Sequence, residues 1–143
     1  VYDRRNGKDT LRSWDQTSNL GGGITWSEGG WQATLAATYH TGWPTTPVRL
    51  VGTVAGEQTA LVGPRNASRL NSYAAVDARV SREFTLKRGT LNVFAEATNL
   101  LDRPNHCCTD FDYETEEDGT AVLEREYRNW LPLIPNVGLL WKF

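Results

Sequence analysis

Asn136-Val137-Gly138-Leu139-Leu140-Trp141-Lys142-Phe143 closes the chain, and its alternation decides how the rest is read. Val137, Leu139, Trp141 and Phe143 share one face of a strand, and Asn136, Gly138, Leu140 and Lys142 share the other. A period of two is the mark of a two-faced β-strand. Working back from the end, four further segments alternate in the same way. The expected strands span about 18–27, 31–41, 72–85, 90–101 and 135–143. In the first, Leu20, Gly22, Ile24 and Trp26 lie opposite Asn19, Gly21, Gly23 and Thr25. In the second, Trp31, Ala33, Leu35, Ala37 and Tyr39 oppose Gln32, Thr34, Ala36, Thr38 and His40. Val76, Ala78, Val80 and Phe84 alternate with Asp77, Arg79 and Ser81. Leu91, Val93, Ala95 and Ala97 alternate with Asn92, Phe94, Glu96 and Thr98.

The connections have a rhythm. Glu28-Gly29-Gly30 and Leu86-Lys87-Arg88-Gly89 are short turns, whereas about 42–71 and about 102–133 are long, polar and irregular, with 121–130 able to extend a strand. Long connections are uncommon inside a compact soluble domain. Short turns at one end and long loops at the other are the habit of outer-membrane barrels. The aromatic residues agree: Trp26, Trp31, Phe84, Trp141 and Phe143 fall at the short-turn rim, facing outward. Tyr39, Trp43, Tyr73 and Trp130 fall near the other rim, and aliphatic residues lie between. Amphipathic rings favour the headgroup layer on each side of a hydrocarbon band. Centring the second short turn on Lys87-Arg88 pairs Phe84 with Leu91 and Val80 with Ala95 on the lipid face. The same register sets Arg79 against Glu96 on the other face, where opposite charges attract. Asp77, Arg79 and Glu96 are therefore expected to form a luminal polar network, because charge on the lipid face is costly.

Composition narrows the classes. Of 143 residues 39% are hydrophobic, and no apolar run approaches the ~20 residues of a membrane helix. A net charge of -2 with scattered Lys and Arg offers no nucleic-acid stripe. Methionine is absent and the charged start, Val1 to Asp9, is no export signal, so the chain reads as the C-terminal part of something longer.

Two elements carry a resemblance. Asn71-Ser72-Tyr73-Ala74-Ala75-Val76-Asp77-Ala78-Arg79-Val80-Ser81 and Asn92-Val93-Phe94-Ala95-Glu96-Ala97-Thr98-Asn99-Leu100-Leu101-Asp102 resemble the last strands of TonB-dependent outer-membrane receptors. Ser13-Trp14-Asp15-Gln16 and Tyr39 to Pro44 are similar to the flanks of an earlier hairpin there. Val137, Leu139, Trp141 and Phe143 resemble the sorting signal read by the barrel-assembly machinery. The fold expected is all-β: an antiparallel transmembrane barrel segment of about five strands, an open curved sheet within a barrel of about 22. The resemblance implies a receptor in the Gram-negative outer membrane that takes up a large scarce nutrient, a ferric siderophore first among them. It implies partners in outer-membrane lipid, the assembly machinery, that small-molecule ligand, and TonB only through a plug that this stretch lacks. Five strands cannot close, since the smallest membrane barrels have ~8. This stretch alone is expected neither to insert stably nor to transport. Other readings are a porin or autotransporter barrel, and a soluble β-sandwich or adhesin module.

The remaining motifs divide between sharp and bland readings. His106-Cys107-Cys108 with Asp110, Asp112, Glu114, Glu116, Glu117 and Asp118 invites a metal, but its spacing fits no ligand geometry and a solvated loop is the stronger reading. Cys107-Cys108 is a candidate vicinal disulfide. Arg4-Arg5 and 125–128 could meet an anionic ligand. Asn66-Ala67-Ser68 is a chance sequon. No catalytic constellation, cofactor motif or metal site is read.

Overall fold

The computed structural model describes residues 2–5, 7–52, 58–115 and 121–143. Over these residues it is all-β, without a helix, and every strand pairing is antiparallel. In chain order the strands are β1 (Tyr2–Arg5), β2 (Lys8–Leu11), β3 (Asn19–Glu28), β4 (Trp31–His40), β5 (Pro44–Thr45), β6 (Val48–Gly52) and β7 (Gln58–Val62). There follow β8 (Ser68–Arg69), β9 (Tyr73–Leu86), β10 (Gly89–Thr98), β11 (His106–Thr115), β12 (Ala121–Asn129) and β13 (Ile134–Lys142). The chain divides into two compact units, residues 1–17, 41–72 and 106–129 in one, and 18–40, 73–105 and 130–143 in the other.

The second unit is a five-stranded sheet in the order β13-β10-β9-β4-β3. Its turns follow from the backbone freedom of glycine. Gly29 and Gly30 both have positive φ, 56° and 82°, as a two-residue type I′ hairpin requires. The Gly30 carbonyl also accepts a bond from the Glu83 amide at 2.8 Å, tying the turn to β9. Gly89, at φ 93°, follows Lys87-Arg88 and has no room for a side chain: a Cβ there would lie 1.9 Å from the Lys142 carbonyl oxygen of β13. The register of β9 and β10 pairs Phe84 with Leu91, Val80 with Ala95 and Arg79 with Glu96. The sheet is open, with β3 and β13 as its edges.

Alternation gives this sheet one apolar and one polar face, and its apolar face is uncovered. Leu20 is 72% exposed, Ile24 70%, Val137 78% and Leu139 71%. Ala75 is the one buried hydrophobic residue among those described. A soluble domain closes such a face against a second layer.

The other unit holds short antiparallel pairs, β1 with β2, β5 with β8, β6 with β7, and β11 with β12. The stretches 42–71 and 102–133 therefore contain strands where irregular loops were expected, β12 alone falling where a strand extension was read, at 121–130. Proline and glycine in the first, and charge on both strands of β11 and β12, hide the alternation. Asp110 faces Glu126 and Asp112 faces Glu124 across that pair, so like charges meet within a strand ladder, where a sequence window reads a solvated run.

Candidate functional site

The polar face is organised by one row of residues lying directly opposite one another on all five strands: Thr25, Thr34, Arg79, Glu96 and Asn136. The Thr25 and Thr34 hydroxyls are 3.1 Å apart. Arg79 Nη1 donates to Glu96 Oε2 at 2.6 Å, and Asn136 Nδ2 donates to Glu96 Oε1 at 2.9 Å. Both carboxylate oxygens are thus occupied, one from each neighbouring strand. The Arg79 guanidinium also lies over the Phe94 ring, 4.0 Å from its centroid. Phe94 in turn covers Gly138, where a Cβ would come within 2.4 Å of the ring. A ring filling the space above a strand glycine pins the register of the two strands.

Asp77 shares this face but does not join the Arg79–Glu96 pair. Its Oδ1 accepts the Asn99 amide at 2.9 Å, because β10 ends there and its next N–H would otherwise lack a partner. The expected three-residue network is therefore a pair reinforced by Asn136, with Asp77 as a terminus cap.

The turn after β10 shows what Asn99-Leu100-Leu101-Asp102 does locally. Asn99 and Asp102 both adopt positive φ, 51° and 48°, which Asn and Asp tolerate better than most residues. Asn99 is 2% exposed; its Nδ2 donates to the Arg103 and Leu131 carbonyls at 3.0 and 3.2 Å. Asp102 Oδ1 accepts the Leu133 amide at 2.9 Å. Asn105, also 2% exposed, bonds both backbone groups of Ala74, at 2.9 and 3.0 Å, and so acts as one further strand partner beside β9. Neither Asn105 nor these long-range bonds had a sequence signal.

On the apolar face, Trp26, Trp31, Phe84 and Trp141 sit in the rows nearest the short turns. Phe143 follows in the same alternation, 98% exposed, with its ring edge-on to Trp141 at 5.9 Å. Trp141 Nε1 donates to the Arg88 carbonyl at 3.2 Å, fixing the last strand to the turn. Val137 and Leu139 complete the alternating end of β13 on this face. At the opposite end of the sheet Tyr39 is on the apolar face, but Tyr73 is on the polar one, stacked on His40 with centroids 4.7 Å apart. Trp130 belongs to the same unit, and Trp43 belongs to the other.

In that other unit Cys107 and Cys108 are disulfide-bonded, at an irregularity between His106 and Cys108 in the pairing of β11 with β12. Asp110 is paired with Arg128, and Arg125 lies over the Phe111 and Tyr127 rings at 5.7 and 5.2 Å. No cluster of three or more potential metal ligands occurs among the described residues. Glu116, Glu117, Asp118 and the side chain of Arg5 lie outside what is described. Arg69 is the main anchor here, donating to Asp15 Oδ2 at 2.5 Å, to the Asp15 and Gly42 carbonyls and to Thr17. Asn66, 7% exposed, spends its amide on the Leu11 carbonyl and Ser13.

Comparison with known proteins returns no significant match: no family model, no curated protein and no solved structure is similar to this chain.

Proposed function

We propose that the chain is a wall segment of an outer-membrane β-barrel of the TonB-dependent receptor type, and that the whole receptor imports a large scarce nutrient, with a ferric siderophore as the leading candidate. The observation that carries this reading is the uncovered apolar face of the five-stranded sheet, with large side chains such as Ile24, Leu139 and Val137 at least 70% exposed. A monomeric soluble protein rarely leaves so continuous a patch open, whereas lipid is a solvent in which that face needs no second layer. The polar face, with Arg79, Glu96 and Asn136 bonded in one row, is suited to a wet lumen. The two open edges, β3 and β13, would be closed by further strands, since unpaired backbone groups in hydrocarbon cost several kcal/mol each.

Gene disruption tests the reading. Cells lacking the protein, grown under iron limitation, are assayed for uptake of radiolabelled ferric chelates, cobalamin and oligosaccharides, with and without a protonophore. Loss of one energy-dependent uptake activity, restored by complementation, supports the assignment. Unchanged uptake of the whole panel, with the protein recovered in the soluble fraction, refutes it.

A further inference from the structure

Arg82 stands on the apolar face of the sheet, where alternation places mainly aliphatic and aromatic residues. The ladder sets it between Trp31 of β4 and Val93 of β10. Its guanidinium lies 4.8 Å from the Trp31 ring centroid and 5.0 Å from that of Phe84. It makes no ion pair with any described carboxylate. Glu28, the other charge on this face, lies one strand further on, with Trp31 between them. The surrounding surface is a groove of ≈ 840 Å³ whose lining includes Trp31, Val80, Phe84, Val93, Val137 and Leu139 together with Arg82.

Where such a face meets lipid, a guanidinium without a carboxylate partner among the described residues is stabilised by an anion. Its planar fork of donors matches phosphate oxygens, and it stacks on aromatic faces without losing that fork. Trp31 and Phe84 hold it in place, so little rotamer freedom remains to be lost on binding. A ligand that fits both features has a phosphate beside an acyl chain. The geometry points to a glycerophospholipid site: the headgroup phosphate on Arg82 between Trp31 and Phe84, and an acyl chain along Val80, Val93, Val137 and Leu139. The inference rests on the proposal that this face meets lipid, and it adds a specific lipid contact in the leaflet at the short-turn end. Arg82 lies four residues from Leu86, the last residue of β9, near enough to the rim for its long side chain to reach the headgroup layer.

The test uses the protein as its cell makes it, extracted in a neutral sugar detergent. A short-chain phosphatidylglycerol, a phosphate-free galactolipid of the same chain length and inorganic phosphate are titrated separately. Retained lipid is read by native mass spectrometry, and thermal stability is read in parallel. The phospholipid is expected to bind and stabilise, with the galactolipid and free phosphate much weaker. Arg82→Gln should weaken phospholipid binding roughly tenfold or more, the size of a charge-assisted bidentate pair. Arg82→Lys should fall between, each variant's response to lipid being scored against its own stability in detergent alone. A nitroxide at Val137→Cys reports separately whether the face meets lipid, by its accessibility to oxygen in vesicles. An oxygen-accessible label with equal binding of all three ligands, or with no effect of Arg82→Gln, overturns the phosphate site and leaves the lipid-facing reading intact. A water-exposed label overturns both.

Discussion

Leu35→Arg separates a lipid-facing sheet from a water-facing one. Leu35 lies in β4 on the apolar face, opposite Ile24 and Ala78, and is 46% exposed. It is halfway between Trp31 and Tyr39, the aromatic residues at the two ends of the strand. Eight residues at ~3.4 Å each span about 27 Å along the strand. A strand tilt of ~40° reduces this to about 21 Å along the membrane normal, close to the ~25 Å apolar band of an outer-membrane barrel. If the face meets lipid, Leu35 falls near the midplane, where an arginine costs ~2–4 kcal/mol. That corresponds to roughly a 30- to 1,000-fold shift in the folding equilibrium. Thr38→Arg, on the polar face of the same strand, is the control and should cost less than about 0.5 kcal/mol. Both variants are unfolded with urea in phospholipid vesicles. A large loss for Leu35→Arg and a small one for Thr38→Arg is expected. Equal costs, or a gain in stability from Leu35→Arg, would show that this face meets water, because an exposed leucine in water loses little on becoming arginine.

Three further outcomes follow from individual contacts. Asn99→Ala removes the bonds to Arg103 and Leu131 and forces alanine to φ 51°, so a loss of about 2–4 kcal/mol is expected in urea unfolding. Asn99→Gly should recover about 1 kcal/mol of it, because only the backbone strain is relieved. A double-mutant cycle on Arg79→Gln and Glu96→Gln should give a coupling below about 1 kcal/mol, since the side chains are 46% and 32% exposed and solvent screens the pair. A coupling above ~2 kcal/mol would instead place the pair in a dry interior. Glu126→Lys replaces the like-charge pair with Asp110 by an opposite pair, worth ~0.2–1 kcal/mol to the hairpin of β11 and β12. It should slow amide hydrogen exchange over 106–115, and faster exchange would contradict the register.

The five-stranded sheet was legible because two constraints acted on the same residues. Alternation assigns each side chain a face, and a two-residue turn fixes which residues meet, so Arg79 could be set against Glu96 from Lys87-Arg88 alone. A slip of one residue would have turned Val80 and Phe84 to the polar face. Within 42–71 and 102–133, β12 was legible as the stretch 121–130, and the other strands were not. In β11, Asp110 and Asp112 alternate with Thr109 and Phe111, but a charged strand and a solvated loop look alike in composition. The irregularity at Cys107 further breaks the period. The long-range polar anchors were hidden for another reason. Asn105, Asn66 and Arg69 reach backbone and side-chain atoms 27 to 55 residues away, and no local pattern encodes such a bond. Asp77 was read with Arg79 and Glu96 as one polar network, and its bond to the Asn99 amide at the end of β10 has no counterpart in the local pattern.

The most direct test of the central proposal is a nitroxide scan of β4. Single cysteines are placed at residues 33 to 38, labelled, and the protein is reconstituted in vesicles, with Cys107 and Cys108 kept as their disulfide. Accessibility to oxygen, which concentrates in lipid, and to a water-soluble nickel chelate is then measured. A period of two is expected, with Ala33, Leu35 and Ala37 open to oxygen and Thr34, Ala36 and Thr38 open to the chelate. Chelate access at Ala33, Leu35 and Ala37 equal to that at their neighbours would contradict it, and the sheet would then be a surface for another protein layer in water.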